Sequence, residues 1–224
     1  MTLTMEKTKK NDFVELKYTG FANGQIFDSN IEEDLKKINE KAKVKETVII
    51  VGQGMVVPGL DKTLEGKEIG KEYDVILSVK EGFGERIREL VKTIPLRVFT
   101  EKNVDPRPGM VLALDNALAK IIAVSGARVV TDFNNPLAGK ELRYKFKIVK
   151  KIENEEEKCK ITFELLFRFV PKFEIKDNEV IAHGPKQLEI FINALKDKFK
   201  EIIGKDLKFE LEEAKKEEKK TDKK

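Results

Sequence analysis

Gly52-Gln53-Gly54-Met55-Val56-Val57-Pro58-Gly59-Leu60 is the stretch on which the fold reading turns. It follows a β-branched run at residues 47–51, which reads as a strand. The two glycines mark a loop. Pro58 then suits the first turn of a short helix, Leu60 and Leu64 share one face of it, and Gly66 ends it. A glycine pair followed by so short a helix lacks the length of a dinucleotide-binding fingerprint.

Working outward, Val14, Leu16 and Tyr18 alternate with Glu15 and Lys17, the period-2 pattern of a half-buried strand. Asn23-Gly24 is a hairpin signal leading into Gln25-Ile26-Phe27-Asp28-Ser29. Residues 31–45 carry Ile31, Leu35, Ile38 and Ala42 at helical spacing, predicting an amphipathic surface helix capped by Ser29 or Asn30. Tyr73, Val75, Leu77 and Val79 alternate again, ahead of Gly82-Phe83-Gly84.

Beyond Glu85 the chain becomes rich in Pro and Gly. Several short apolar stretches and a turn at Asp115-Asn116 predict a small all-β module over 86–131. A strong alternating strand returns with Leu142, Tyr144, Phe146 and Ile148. The acidic run Glu153-Asn154-Glu155-Glu156-Glu157 reads as a linker.

The alternation of Ile161, Phe163, Leu165, Phe167 and Phe169 predicts a strand. Residues 173–182 predict a second strand or hairpin turning at Asp177-Asn178. Residues 185–203 predict a helix whose apolar stripe is Leu188, Phe191, Ile192, Leu195, Phe199, Ile202 and Ile203. A last strand through Leu207, Phe209 and Leu211 completes a β-β-α-β unit. The charged tail 213–224 has no apolar periodicity and reads as disordered.

Composition narrows the chemistry. The 44 basic and 40 acidic residues nearly cancel, and they are interleaved without a basic–aromatic stripe, which argues against nucleic-acid binding. No apolar run approaches the length of a membrane span, which takes roughly 20 residues. The first residues show no signal-peptide core. Cys159 is the only cysteine, so no internal disulfide can form, and the reading is a reduced, cytoplasmic protein. His183 is the only histidine, which excludes a His-rich metal site. No cofactor and no metal are expected.

Taken in order, Tyr18-Thr19-Gly20, Gly24 to Ser29, Gly52 to Leu60 and Gly82-Phe83-Gly84 resemble the FKBP-type peptidyl-prolyl cis/trans isomerases. The module after Gly84 is closed by Asp132-Phe133-Asn134-Asn135-Pro136-Leu137-Ala138-Gly139. It resembles the insert-in-flap chaperone domain of the SlyD-like and long archaeal members.

The resemblance implies an α+β fold. An antiparallel FKBP sheet with its short helix would span 1–85 and 132–151, interrupted by the insert at 86–131. A separate C-terminal domain at 152–212 would dimerise the chain. The implied activity is isomerisation of X-Pro bonds and chaperoning of unfolded or nascent polypeptides. A non-catalytic polypeptide-binding protein with a relic pocket is the alternative.

By the same resemblance, Tyr18, Phe27 and Tyr144 are aromatic walls for a proline ring, with Phe83 as a further wall. Val56 and Val57 form a shelf, Leu60 the floor, and Asp28 a polar group beside the twisting carbonyl. Met110, Leu112, Leu114, Leu118 and Ile121 of the insert would hold unfolded chain. Two positions depart from the commoner family pattern: Leu60 where Trp is frequent, and Phe83 where Tyr is frequent. Loss of that one hydroxyl is expected to weaken macrolide inhibitors by about 0.5–1.5 kcal/mol.

Overall fold

A computed structural model describes residues 6–114 and 117–212. The expected turn at Asp115-Asn116 and the tail 213–224 lie outside the described residues. The fold is α+β, with three sheets among the described residues.

In the first sheet, β1 (Phe13–Ala22) is central. It pairs antiparallel with β2 (Gln25–Ser29), with β3 (Val48–Ile50) and with β9 (Leu142–Lys151), and β9 in turn pairs with β4 (Glu72–Leu77). The alternation seen in the sequence puts Val14, Leu16, Leu142, Phe146 and Ile148 on one covered face. Helix α2 (Pro58–Leu64) lies in that core, with Leu60 and Leu64 buried. Its close docking requires Gly59, where a Cβ would meet the Cβ of Glu81 at 2.6 Å and its backbone oxygen at 3.1 Å. Only a residue without a Cβ fits there.

Helix α1 is shorter than the predicted 31–45, covering Glu32–Ile38 only, and it buries no residue. Asn30 does not cap it. The Asn30 amide instead accepts from the Tyr18 N–H at 2.8 Å and donates to the Leu16 carbonyl at 2.6 Å. Without a cap or a packed face, propensity alone does not carry the helix further.

The insert is a four-stranded antiparallel sheet in the order β5 (Val91–Pro95), β8 (Arg128–Asp132), β7 (Ala117–Ser125), β6 (Val111–Leu114). It is not all-β. Helix α3 (Leu96–Thr100) follows Pro95 and drives Phe99 into the centre of the module against Leu114, Ile121 and Val129.

The two connections to the first sheet are tied together. Arg86 pairs with Asp132, and the Asn134 side chain accepts from Ile87 N–H at 2.8 Å and donates to the Ile87 carbonyl at 3.0 Å. Burial pushes the Asp132 carboxyl up, and the bonds from Asn134 and Arg86 outweigh it, leaving the group below the usual carboxylate range.

The C-terminal region corrects the sequence reading. Residues expected as an acidic linker and a strand form one helix, α4 (Glu155–Phe167). Asn154 caps it, accepting from Glu157 N–H at 2.9 Å. Three glutamates occupy its first turn, at the positive end of the dipole.

Cys159, Phe163 and Leu166 recur at helical spacing and pack inward, and this outweighs the apparent alternation at 161–169. The order is therefore α-β-β-α-β, with β10 (Lys172–Ile175), β11 (Glu179–Gly184), α5 (Lys186–Ile203) and β12 (Asp206–Leu211). Strands β11 and β12 run parallel, which requires the α5 crossover. The rings of Phe163 and Phe199 lie 5.0 Å apart between the two helices. Phe191, expected on the buried stripe of α5, is instead 59 % exposed.

This region packs on the first sheet through Phe13, Ile50, Ile152 and Ile202, joined by Met55, Ile161 and Leu165. Asn11 Nδ2 donates to the Glu201 carbonyl at 2.7 Å, and Lys10 pairs with the Glu201 carboxylate at 3.0 Å.

Candidate active site

A cavity of about 420 Å³ opens between the first sheet and the start of α2. All eight residues assigned to a proline pocket line it. Tyr18, Phe27 and Tyr144 project from β1, β2 and β9, while Val56, Val57 and Leu60 come from the loop and α2. Asp28 sits at the edge, and Phe83 closes the far side. Leu60 is 1 % exposed and forms a fixed apolar floor.

Four rings make the walls. Phe27 meets Tyr144 edge-to-face at 5.8 Å and Phe83 at 6.3 Å, and Tyr18 lies 6.1 Å from Tyr144. Edge-to-face contact is the favoured geometry for such pairs. Gly20 makes this arrangement possible. A Cβ there would approach the Phe27 ring to 2.7 Å and the Tyr144 ring to 3.0 Å. The motif glycine thus clears the space the aromatics occupy.

The polar edge is one hydrogen bond. Tyr18 Oη donates to Asp28 Oδ2 at 2.8 Å. Burial, then the bond to Asp28 and its charge, push the Tyr18 phenol well above the usual tyrosine range. Burial and the Asp28 charge push Tyr144 up to about 12. Both phenols therefore remain protonated through neutral pH, and Tyr18 remains a donor.

Two contributors were not anticipated from the sequence. Met55 lines the cavity beside Gly54. Asp61, 8 % exposed, accepts from the N–H groups of Gly52 at 2.9 Å and Gly54 at 2.8 Å, so one carboxylate fixes the loop that carries Met55, Val56 and Val57. The available signal was an acidic residue in the first turn of a helix directly after a Gly-x-Gly loop.

The insert residues separate. Leu114 and Ile121 are buried in its core and are not open to a client, while half-buried Leu112 packs against them. Met110 and Leu118 are exposed, the latter at 65 %. Val111 and Ile122 are also exposed on this sheet. A second concavity of about 560 Å³ is lined mostly by charged side chains, Lys17, Glu72 and Lys145 of the first sheet and Asp34 of α1 among them.

The sequence pattern of the FKBP-type peptidyl-prolyl cis-trans isomerases matches residues 4–99. A short-type peptidyl-prolyl cis-trans isomerase of Methanocaldococcus jannaschii is 35% identical over 143 residues, covering 62% of this chain and 91% of that protein. The chain belongs to the FKBP-type peptidyl-prolyl cis-trans isomerases.

The pattern named FKBP26, IF domain matches residues 92–137 of this isomerase, which includes the insert sheet. SlyD of Haemophilus influenzae is 35% identical over 103 residues, 44% of this chain and 53% of that protein. SlyD of Escherichia coli K12 is 32% identical over 111 residues, 47% of this chain and 56% of that protein. The chain thus spans about half the length of these two SlyD relatives. Among the described residues of the isomerase, no helix is long and apolar enough to cross a membrane.

Proposed function

We propose that the cavity between β1, β2, β9 and α2 is the prolyl-isomerase site, acting on X-Pro bonds of unfolded or nascent polypeptides in the cytoplasm. The carrying observation is the aromatic box over Leu60 with the Tyr18–Asp28 hydrogen bond at its edge. Rotation about the amide meets a barrier of about 18–20 kcal/mol because the planar form is resonance-stabilised and charge-separated. A pocket that holds the proline ring in an apolar setting removes the water that favours the planar carbonyl, and so favours the twisted state. The Tyr18-oriented Asp28 carboxylate would face the twisting group. No covalent step and no titrating base is required.

The insert is the proposed chaperone element. Exposed Val111, Leu118 and Ile122 support it, because isolated domains seldom display several such side chains on one small sheet. The decisive assay is a refolding reaction limited by prolyl isomerisation. The intact chain is expected to accelerate it in proportion to enzyme concentration, with Asp28→Ala slower. Suppressed aggregation without any rate effect would instead establish the non-catalytic holdase reading, which the same exposed residues favour.

We also propose a homodimer through the C-terminal domain, domain 152–212 in a chain divided as 1–85 with 132–151, and 86–131. Phe169 and Phe191 border a concavity of about 370 Å³, and both are exposed. Ile190, next to Phe191 on α5, is 73 % exposed. Sedimentation is expected to give a dimer for the intact chain and a monomer for Phe191→Glu. A monomeric intact chain at assay concentration would defeat this part of the reading.

A further inference from the structure

The proline cavity does not end at its loop. On the other side of Gly54 and Met55 lies a groove of about 730 Å³, walled by Val48 of β3 and by one face of α4. That face carries Glu157, Ile161, Glu164 and Leu165, with Arg168 at the helix end, and this spacing keeps them on one side of a helix. The opposite face of α4, with Cys159 and Phe163, is spent in the core of the C-terminal domain. Gly54 and Met55 line both the groove and the proline cavity. A polypeptide advances at most about 3.3–3.6 Å per residue, so a chain seated in the cavity reaches the groove within a few residues of its proline.

We infer that this groove is a substrate subsite, which takes an aliphatic segment bearing lysine or arginine from the same polypeptide whose X-Pro bond occupies the proline cavity. The inference rests on the proline-site assignment above. Val48, Met55, Ile161 and Leu165 supply an apolar floor, and all four are partly buried. The rim carries three carboxylates, Glu46, Glu157 and Glu164, against one guanidinium, Arg168. Glu46 is partly offset by Lys150, 3.6 Å away, which also pairs with Glu15. Glu157 and Glu164 stand exposed on α4, two turns apart, where the side chain of a basic residue can lie between them. The C-terminal domain thereby contributes to substrate choice, in addition to any part in assembly.

The test uses the full chain, the double variant Glu157→Lys/Glu164→Lys, an X-Pro tetrapeptide, and longer peptides with the same centre flanked on both sides by Lys-Leu or by Glu-Leu. The intact chain is expected to turn over the Lys-flanked peptide roughly three- to tenfold better in kcat/KM at low salt, the scale of two exposed ion pairs. The double variant should leave tetrapeptide turnover unchanged and lower the thermal melt only slightly, by loss of one carboxylate from the first turn of α4, while abolishing or inverting that preference. Equal turnover of the two long peptides by the intact chain overturns the subsite, as does a preference that survives the charge reversal. No turnover of the tetrapeptide would remove the proline-site assignment itself, and the subsite with it.

Discussion

Excising residues 86–131 and joining the ends with a short glycine linker is expected to cut turnover on an unfolded protein by roughly 10²-fold, and to leave tetrapeptide turnover within a small factor of the intact chain. A tetrapeptide fills only the aromatic box. An unfolded chain gains from a second attachment, because tethering at the insert converts capture by the pocket into an intramolecular event. The exposed Val111, Leu118 and Ile122 supply that attachment in the proposed reading.

Gly139 N–H donates to the Gly84 carbonyl at 2.8 Å, a tie between the flanking segments that the excision keeps, while it removes Arg86 and Ile87, the partners of Asp132 and Asn134. The check is kcat/KM on both substrates, with a thermal melt to show that the shortened protein folds. An equal fall on both would mean that the pocket was damaged, and an unchanged protein rate would deny the insert its role.

Asp61→Ala is expected to destabilise the protein by about 2 kcal/mol and to lower tetrapeptide kcat/KM by roughly 10- to 100-fold. The carboxylate makes two charge-assisted bonds, to Gly52 and Gly54 N–H. Each such bond contributes about 1.5–3 kcal/mol. Both glycines are exposed, so water can satisfy their freed N–H groups and the net loss falls below the sum. The catalytic loss follows from position. The released loop carries Met55, Val56 and Val57, and small misplacements of pocket walls are costly. Urea unfolding and the peptide assay read the two effects separately. Asp61→Asn, which retains one acceptor, should fall between. Wild-type turnover in Asp61→Ala would show that packing alone sets the loop.

Much of the cavity lining was readable because its residues come in short local motifs. Tyr18, Phe27, Val56, Val57, Leu60 and Phe83 sit in four ordered stretches, and Tyr144 in a strongly alternating strand. Chemistry carried by neighbours in sequence survives without a structure. Asp61 and Met55 were overlooked for the opposite reason. A carboxylate in the first helical turn and a methionine in a loop have ordinary local explanations, and only the loop wrapped over α2 gives them partners.

The C-terminal error has the same origin. Ile161, Phe163, Leu165, Phe167 and Phe169 satisfy a period of two, and Cys159, Phe163 and Leu166 satisfy a helical period, within the same segment. Periodicity ranks neither. The helix prevails because Asn154 caps it and because its inward residues meet Phe173 of the next strand and Phe199, far along the chain on α5.

From the sequence alone came the FKBP-type α+β architecture and the side chains that line the aromatic cavity, since alternation and ordered motifs encode local geometry directly. Which face of the insert is open, how α4 forms, and that α4 stands beside the proline cavity were decided only in three dimensions. Those outcomes depend on which apolar surfaces cover one another, and such contacts join residues as distant as Phe13 and Ile202, a relation that local spacing does not carry.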